Sequence, residues 1–122
     1  IIDIKDRENA RIPVDNHLTR VGLRWGIVIL DKHLEAKVVN QIPVVYDEDI
    51  IIRYVVREAY RYLSEYSHMD VFLLDDFIWN FGRTLCLRDA PICSSCPFRN
   101  CCRVFELKTF LNEHVYYNTW YY

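Results

Sequence analysis

The chain has 122 residues, 52% of them hydrophobic and 26% charged, with a formal net charge of −2; this excludes a disordered polymer and leaves room for one small domain, near the size at which a metal staple helps. No apolar run approaches the roughly 18 residues of a membrane span, and no charged-then-apolar leader opens the chain, so a cytoplasmic or nucleoid-associated protein without a membrane partner is expected. The slightly negative charge is not that of a typical nucleic-acid binder.

Residues 1 to 14 alternate weakly at Ile2 and Ile4 and turn at Arg7-Glu8-Asn9, which reads as an extended or hairpin-like lead-in ending at Pro13. Asp15 stands where a side-chain acceptor can cap a helix. Leu18, Val21, Gly22, Trp25, Val28 and Ile29 follow at three- and four-residue steps, the spacing of one helix face. Asp31 opens a shorter helix with Leu34, Val38 and Val39 inward, closed before Pro43. Asp47-Glu48-Asp49 places negative charge at the positive end of a third helix, whose inward face reads Ile51, Ile52, Val55, Val56, Ala59, Tyr62 and Leu63. Asp70 caps a fourth, with Leu73, Leu74, Phe77, Ile78 and Phe81 inward and Gly82 at its C-terminal end. Val104 to His114 reads as a last short helix, and the aromatic tail from Tyr116 to Tyr122 needs a surface to pack on.

All five cysteines fall between Cys86 and Cys102. Thiols this dense form disulfides, hold zinc or hold an iron-sulfur cluster. An odd number of cysteines, with Cys101 and Cys102 adjacent, suits disulfides poorly. Structural zinc sites usually bring two short knuckles, and only Cys93 and Cys96 make one here. Irregular gaps of six, two and five residues suit a cubane, whose irons take thiolates from several directions. Around this stretch, Arg83, Arg88, Arg99, Arg103 and Lys108 outnumber Asp89 and Glu106, so a phosphate-facing surface would lie on the cysteine loop.

The pattern C-x6-C-x2-C-x5-C, preceded by Gly82-Arg83-Thr84-Leu85, resembles the iron-sulfur loop of the endonuclease III and adenine glycosylase branch of the helix-hairpin-helix DNA glycosylases. About seventy residues upstream, Pro13-Val14-Asp15-Asn16-His17-Leu18-Thr19-Arg20-Val21 is similar to that family's V-D-T-H-V-x-R-V segment. The resemblance covers about residues 11 to 106. It implies an all-α fold, a small helical bundle closed by a C-terminal 4Fe-4S cluster loop, with residues 1–122 forming a single domain like the C-terminal half of such an enzyme. It implies four cluster ligands, Cys86, Cys93, Cys96 and Cys102, the last chosen over Cys101 because it restores the family's gap. It also implies a base-excision repair hydrolase acting on duplex DNA, in which Asp15 is the catalytic carboxylate and His17, Arg20 and Arg88 are candidate DNA contacts. A carboxylate facing the sugar can stabilise the positive charge that develops as an N-glycosidic bond breaks, or activate the attacking nucleophile; as a residue type, Asp15 serves equally well as a plain helix cap.

Two departures shape the expectation. None of the fourteen residues before Asp15 forms the family's glycine-rich hairpin, and Lys5 lies in the wrong context for a Schiff base, so a helix-hairpin-helix segment in cis or in trans is an expected partner. The loop Leu87-Arg88-Asp89-Ala90-Pro91-Ile92 carries one Arg against one Asp, which lowers its contribution to phosphate binding. The alternative reading is a non-catalytic iron-sulfur or zinc module that binds nucleic acid or a protein.

Overall fold

A computed structural model describes residues 5–108 and 111–117. Among them the regular structure is helical, without a strand: α1 (Asn16–Trp25), α2 (Lys32–Val39), α3 (Tyr46–Ser67), α4 (Val71–Thr84) and α5 (Arg103–Leu107), with 3-10 turns at Arg7–Asn9 and Cys93–Ser95. The all-α class read from the sequence is the class observed. No described helix is long and apolar enough to cross a membrane.

Side chains set the helix starts. Asp15 Oδ1 accepts the Leu18 N–H at 2.9 Å, Asp31 Oδ1 accepts that of Leu34 at 2.9 Å, and Asp70 Oδ1 accepts that of Phe72 at 3.0 Å. Each satisfies an amide that the first turn leaves without an intrahelical acceptor. At α3, Val45 has no acceptor to offer, and Glu48 reaches back to the Val45 N–H at 2.9 Å instead.

α1 is the central element. It packs against α3, α4 and α5, and α3 also meets α4. Every residue from Leu18 to Arg24 is buried, so the helix is enclosed all round, not amphipathic as its spacing implies. Gly26, at φ 80°, closes it by donating to the Gly22 and Leu23 carbonyls. Val28 and Ile29 therefore lie beyond α1; Val28 is still buried, while Ile29 is 68% exposed.

The other inward faces hold in part: Leu34 and Val38, then Ile52, Val55, Val56, Ala59 and Leu63, then Leu74, Ile78 and Phe81 lie in the core or pack against it, as expected. α3 buries Asp49, Ile52, Val56 and Tyr60 and exposes Ile51 and Tyr62. α4 buries Leu74, Ile78, Phe81 and Gly82, whereas Leu73 and Phe77 face outward, and it continues past Gly82 to Thr84. Val39 of α2 is exposed too. Fully buried Ile52, Val56 and Ile78 each contribute about 1.5–3 kcal/mol by leaving water.

Among its described residues the lead-in has a 3-10 turn at Arg7–Asn9 and then irregular backbone that buries Ile12, without a strand. The last helix stops at Leu107, short of the expected His114. Residues 111–117 run without helix beside α1 and the α2–α3 connection: Leu111, Glu113 and His114 are buried, and Val44 donates to the Val115 carbonyl at 2.8 Å. Of the aromatic tail, Tyr116 packs on the core and Tyr117 is exposed. Ile2, Ile4 and residues 118–122 lie outside the described residues.

Candidate metal centre

Between α4 and α5 the chain makes one 3-10 turn and otherwise follows no regular path. What holds it is α1. Arg24 is 2% exposed, and its guanidinium donates to the carbonyls of Cys86, Leu87, Arg88 and Leu111 and to Asn112 Oδ1. One turn earlier, Arg20 donates to the Cys86 carbonyl at 2.9 Å, to the Gly82 carbonyl at 2.7 Å and to both carboxylate oxygens of Glu113 at 3.1 and 3.2 Å. Two buried cations thus tie the start of the cysteine loop and the 111–113 segment to the central helix. The buried charge of Arg20 is tolerated because Glu113 pairs with it, and that of Arg24 because carbonyl and amide oxygens accept its hydrogen bonds.

Cys86, Cys93, Cys96 and Cys102 line one cavity, whose remaining wall includes Arg24, Trp25, Phe81, Ile92 and Phe105. Cys101 does not: it is exposed and its thiol donates to the Phe98 carbonyl at 3.3 Å. None of the five is in a disulfide. The Cys86 Sγ accepts from Arg24 Nη1 at 3.3 Å, and the Cys102 thiol donates to the Arg24 carbonyl at 3.2 Å, so the first and last cysteines meet the same α1 residue. Burial pushes the Cys86 thiol up, opposed by the Arg24 hydrogen bond and the charges of Arg24 and Arg20. Trp25, Phe81 and Phe98, with ring centroids 4.7 to 5.4 Å apart, pack beside this cavity.

The open space is about 30 Å³, room for one or two waters. Among the described residues no three His, Cys, Asp or Glu side chains converge as a ligand set for one metal ion. Four thiols thus line one largely apolar cavity without converging on a point, and the loop would have to draw outward to admit a cluster.

Asp15 lies at the N-terminal end of α1, with its side chain 28% exposed. Its second oxygen is 3.1 Å from His17 Nδ1. The His17 ring sits 5.9 Å from that of Trp79 on α4, and the Arg83 guanidinium lies over Trp79 at 4.5 Å. A side chain at Gly82 would bring its Cβ within 3.1 Å of the His17 Cβ, so glycine is what lets α4 pass this close. Asp75, one turn before Trp79, has its carboxyl pushed up, first by burial and next by the charge of Asp15. Asp15, His17, Asp75 and Trp79 thus form one polar edge where α1 meets α4.

Arg20 corrects the sequence expectation of a DNA contact. It is 3% exposed, and its donors are committed to Glu113, Gly82 and Cys86, which leaves it no phosphate-facing surface. Arg88 remains 45% exposed at the side chain, bonded to Gln41 Oε1 at 2.7 Å and 3.3 Å from Glu113 Oε1. Sequence reasoning missed Arg24, Glu113 and Asp75. One signal was present for Arg24: two arginines four residues apart on a helix of apolar neighbours. No protein-family model, no curated protein and no solved structure matches the chain.

Proposed function

We propose that the chain is the cluster-bearing part of a base-excision DNA glycosylase, with Cys86, Cys93, Cys96 and Cys102 holding a 4Fe-4S cluster and Asp15 assisting glycosidic cleavage. One observation carries the reading: four of the five cysteines, in the spacing that resembles the glycosylase loop, line a single cavity against the same helix that Asp15 caps. Such a cluster, with every iron bound by a protein thiolate, supplies cross-linking and not a reactive site. The chain's own residues do the rest. Arg24 and Arg20 anchor the loop to α1, and Asp15 faces solvent at the helix end, where its carboxylate can meet positive charge developing on a sugar.

Anaerobic preparation tests the cluster. The protein is expected to be yellow-brown with about four irons per chain, to keep its colour in Cys101→Ser and to lose it in Cys102→Ser. One zinc per chain in a colourless protein would sink the assignment. Adding a helix-hairpin-helix segment in trans tests the activity: excision of a damaged base should then appear and should vanish in Asp15→Asn. A second reading, a non-catalytic module that binds nucleic acid or a protein, draws support from the commitment of Arg20 and Arg88 to internal partners, which leaves the loop few cations for phosphates. Excision activity that depends on Asp15 separates the two.

A further inference from the structure

On the edge that carries Asp15, one exposed cation has only an aromatic ring for company. Arg83 follows Trp79 by four residues on α4, so the two side chains share a helix face. Its guanidinium lies over the Trp79 ring at 4.5 Å, and among the described residues it makes no hydrogen bond and no ion pair. Trp79 is 38% exposed; its ring stands 5.9 Å from that of His17, whose Nδ1 is 3.1 Å from Asp15 Oδ2. Arg83, Trp79, His17 and Asp15 therefore form one row across the junction of α4 and α1. Other arginines near the cysteine loop are engaged: Arg20 on Glu113, Arg88 on Gln41 and Glu113, and Arg103 on Glu35 at 2.6 Å.

Stacking uses the flat face of a guanidinium and leaves its N–H groups, which lie in the plane, open at the rim. The ring also holds the long side chain in place, so less rotamer freedom is lost when an anion arrives. A planar fork of unbonded donors held at the surface fits a phosphate. The acidic residues of α4 stand back from it. Asp75 and Asp76 lie eight and seven residues earlier, about 10–12 Å along the helix axis, which exceeds the roughly 8 Å screening length of physiological salt. Asp15 is separated from Arg83 by the His17 and Trp79 rings. We infer that Arg83 binds a backbone phosphate of duplex DNA beside the nucleotide whose sugar meets Asp15, with Trp79 holding the guanidinium in position. The identity of the ligand rests on the glycosylase reading; the choice of residue rests on the edge itself.

The test titrates the full chain with a duplex that carries a stable abasic-site analogue, by fluorescence anisotropy at several salt concentrations. Arg83→Gln is expected to weaken binding and to lower the slope of log K against log salt by about 1, the signature of one lost phosphate contact. Arg83→Lys keeps the charge and should keep the slope. Trp79→Leu should weaken binding at an unchanged slope, because the cation remains but loses its support. Uncharged methylphosphonates in place of the phosphates flanking the abasic position should weaken the unmodified chain and add little to Arg83→Gln, whereas the same replacement at remote phosphates should add in full. Far-UV circular dichroism checks each fold, and a purely structural role for Arg83 would not move the salt slope. An unchanged slope in Arg83→Gln, additive losses with the flanking methylphosphonates, or no binding of the duplex at any salt would each overturn the inference. Iron content and Asp15-dependent excision report on the glycosylase reading alone. Excision with an unchanged slope in Arg83→Gln removes Arg83 and spares that reading; a lowered slope without excision does the reverse.

Discussion

Arg20 is a cation held where water cannot screen it, and its worth is set by what it would leave behind. Removing it strands the Glu113 carboxylate, which is nearly as buried, and frees the Gly82 and Cys86 carbonyls. Breaking a buried pair of this kind costs about 3–5 kcal/mol, because the surviving charge stays desolvated. Arg20→Met is therefore expected to lower the unfolding free energy in urea by that amount. The salt dependence of any DNA binding should stay unchanged, since a buried guanidinium releases no counter-ions. A flattened salt slope at full stability would return Arg20 to the surface role its sequence position suggests. Gly26 carries a different constraint. Its φ of 80° is costly for any other residue, and an added Cβ would come within 2.8 Å of the Arg103 Cβ, the residue after Cys102. Gly26→Ala should cost about 1–3 kcal/mol in thermal or chemical unfolding, from the left-handed backbone and the displaced α5 together.

At the level of elements, the helix starts were legible and the helix faces only in part, since Ile51, Tyr62, Leu73 and Phe77 of the expected stripes are exposed. Asp15, Asp31 and Asp70 announce their caps locally, because an N-cap acts on amides two or three residues away. Facing is a tertiary property. Val71 to Phe81 is apolar at most positions, so Leu73 and Leu74 fit a helical stripe equally well, and only the packing of α4 on α1 and α3 selects Leu74. Arg24 was illegible as an interior residue for a related reason: its acceptors come from Leu87, Arg88 and Leu111, far along the chain. The cysteine spacing was legible to the extent that the structure separates Cys101 from the four that share a cavity. Two elements also carry a pH signature. His114 is buried, and burial holds its pKa below the usual 6.5 despite the Asp49 hydrogen bond at 2.6 Å. The unfolded chain therefore binds that proton first, and stability should fall as pH drops below 6.5. Glu48, held from the usual 4.5 down to about 2 by hydrogen bonds from Lys37 and the Val45 amide, adds a second loss between those values. Melting temperature measured against pH should show both steps, with His114→Gln removing the upper and Glu48→Gln the lower.

For the molecule as a whole, two layers of stability follow from how the parts are attached. α1, α3 and α4 bury Leu18, Val21, Ile52, Val56, Leu74 and Ile78 among themselves, and Tyr60 locks α3 to α1 through a 2.7 Å hydrogen bond to the Leu18 carbonyl. None of that depends on what the cysteines hold. The 86–102 loop and α5 have little regular structure and rely on Arg20, Arg24 and, under the proposed reading, on the cluster. Removing the metal anaerobically with a chelator should therefore melt one layer and spare the other. Far-UV helix content should fall only slightly, while amides of 86–107 lose hydrogen-exchange protection and those of α1, α3 and α4 keep theirs. Global loss of protection would show that the three-helix core cannot stand without the metal and that the loop, not α1, organises the fold. Unchanged protection in the loop would show that the two arginines alone hold it, and would remove the structural reason for a cluster in this position.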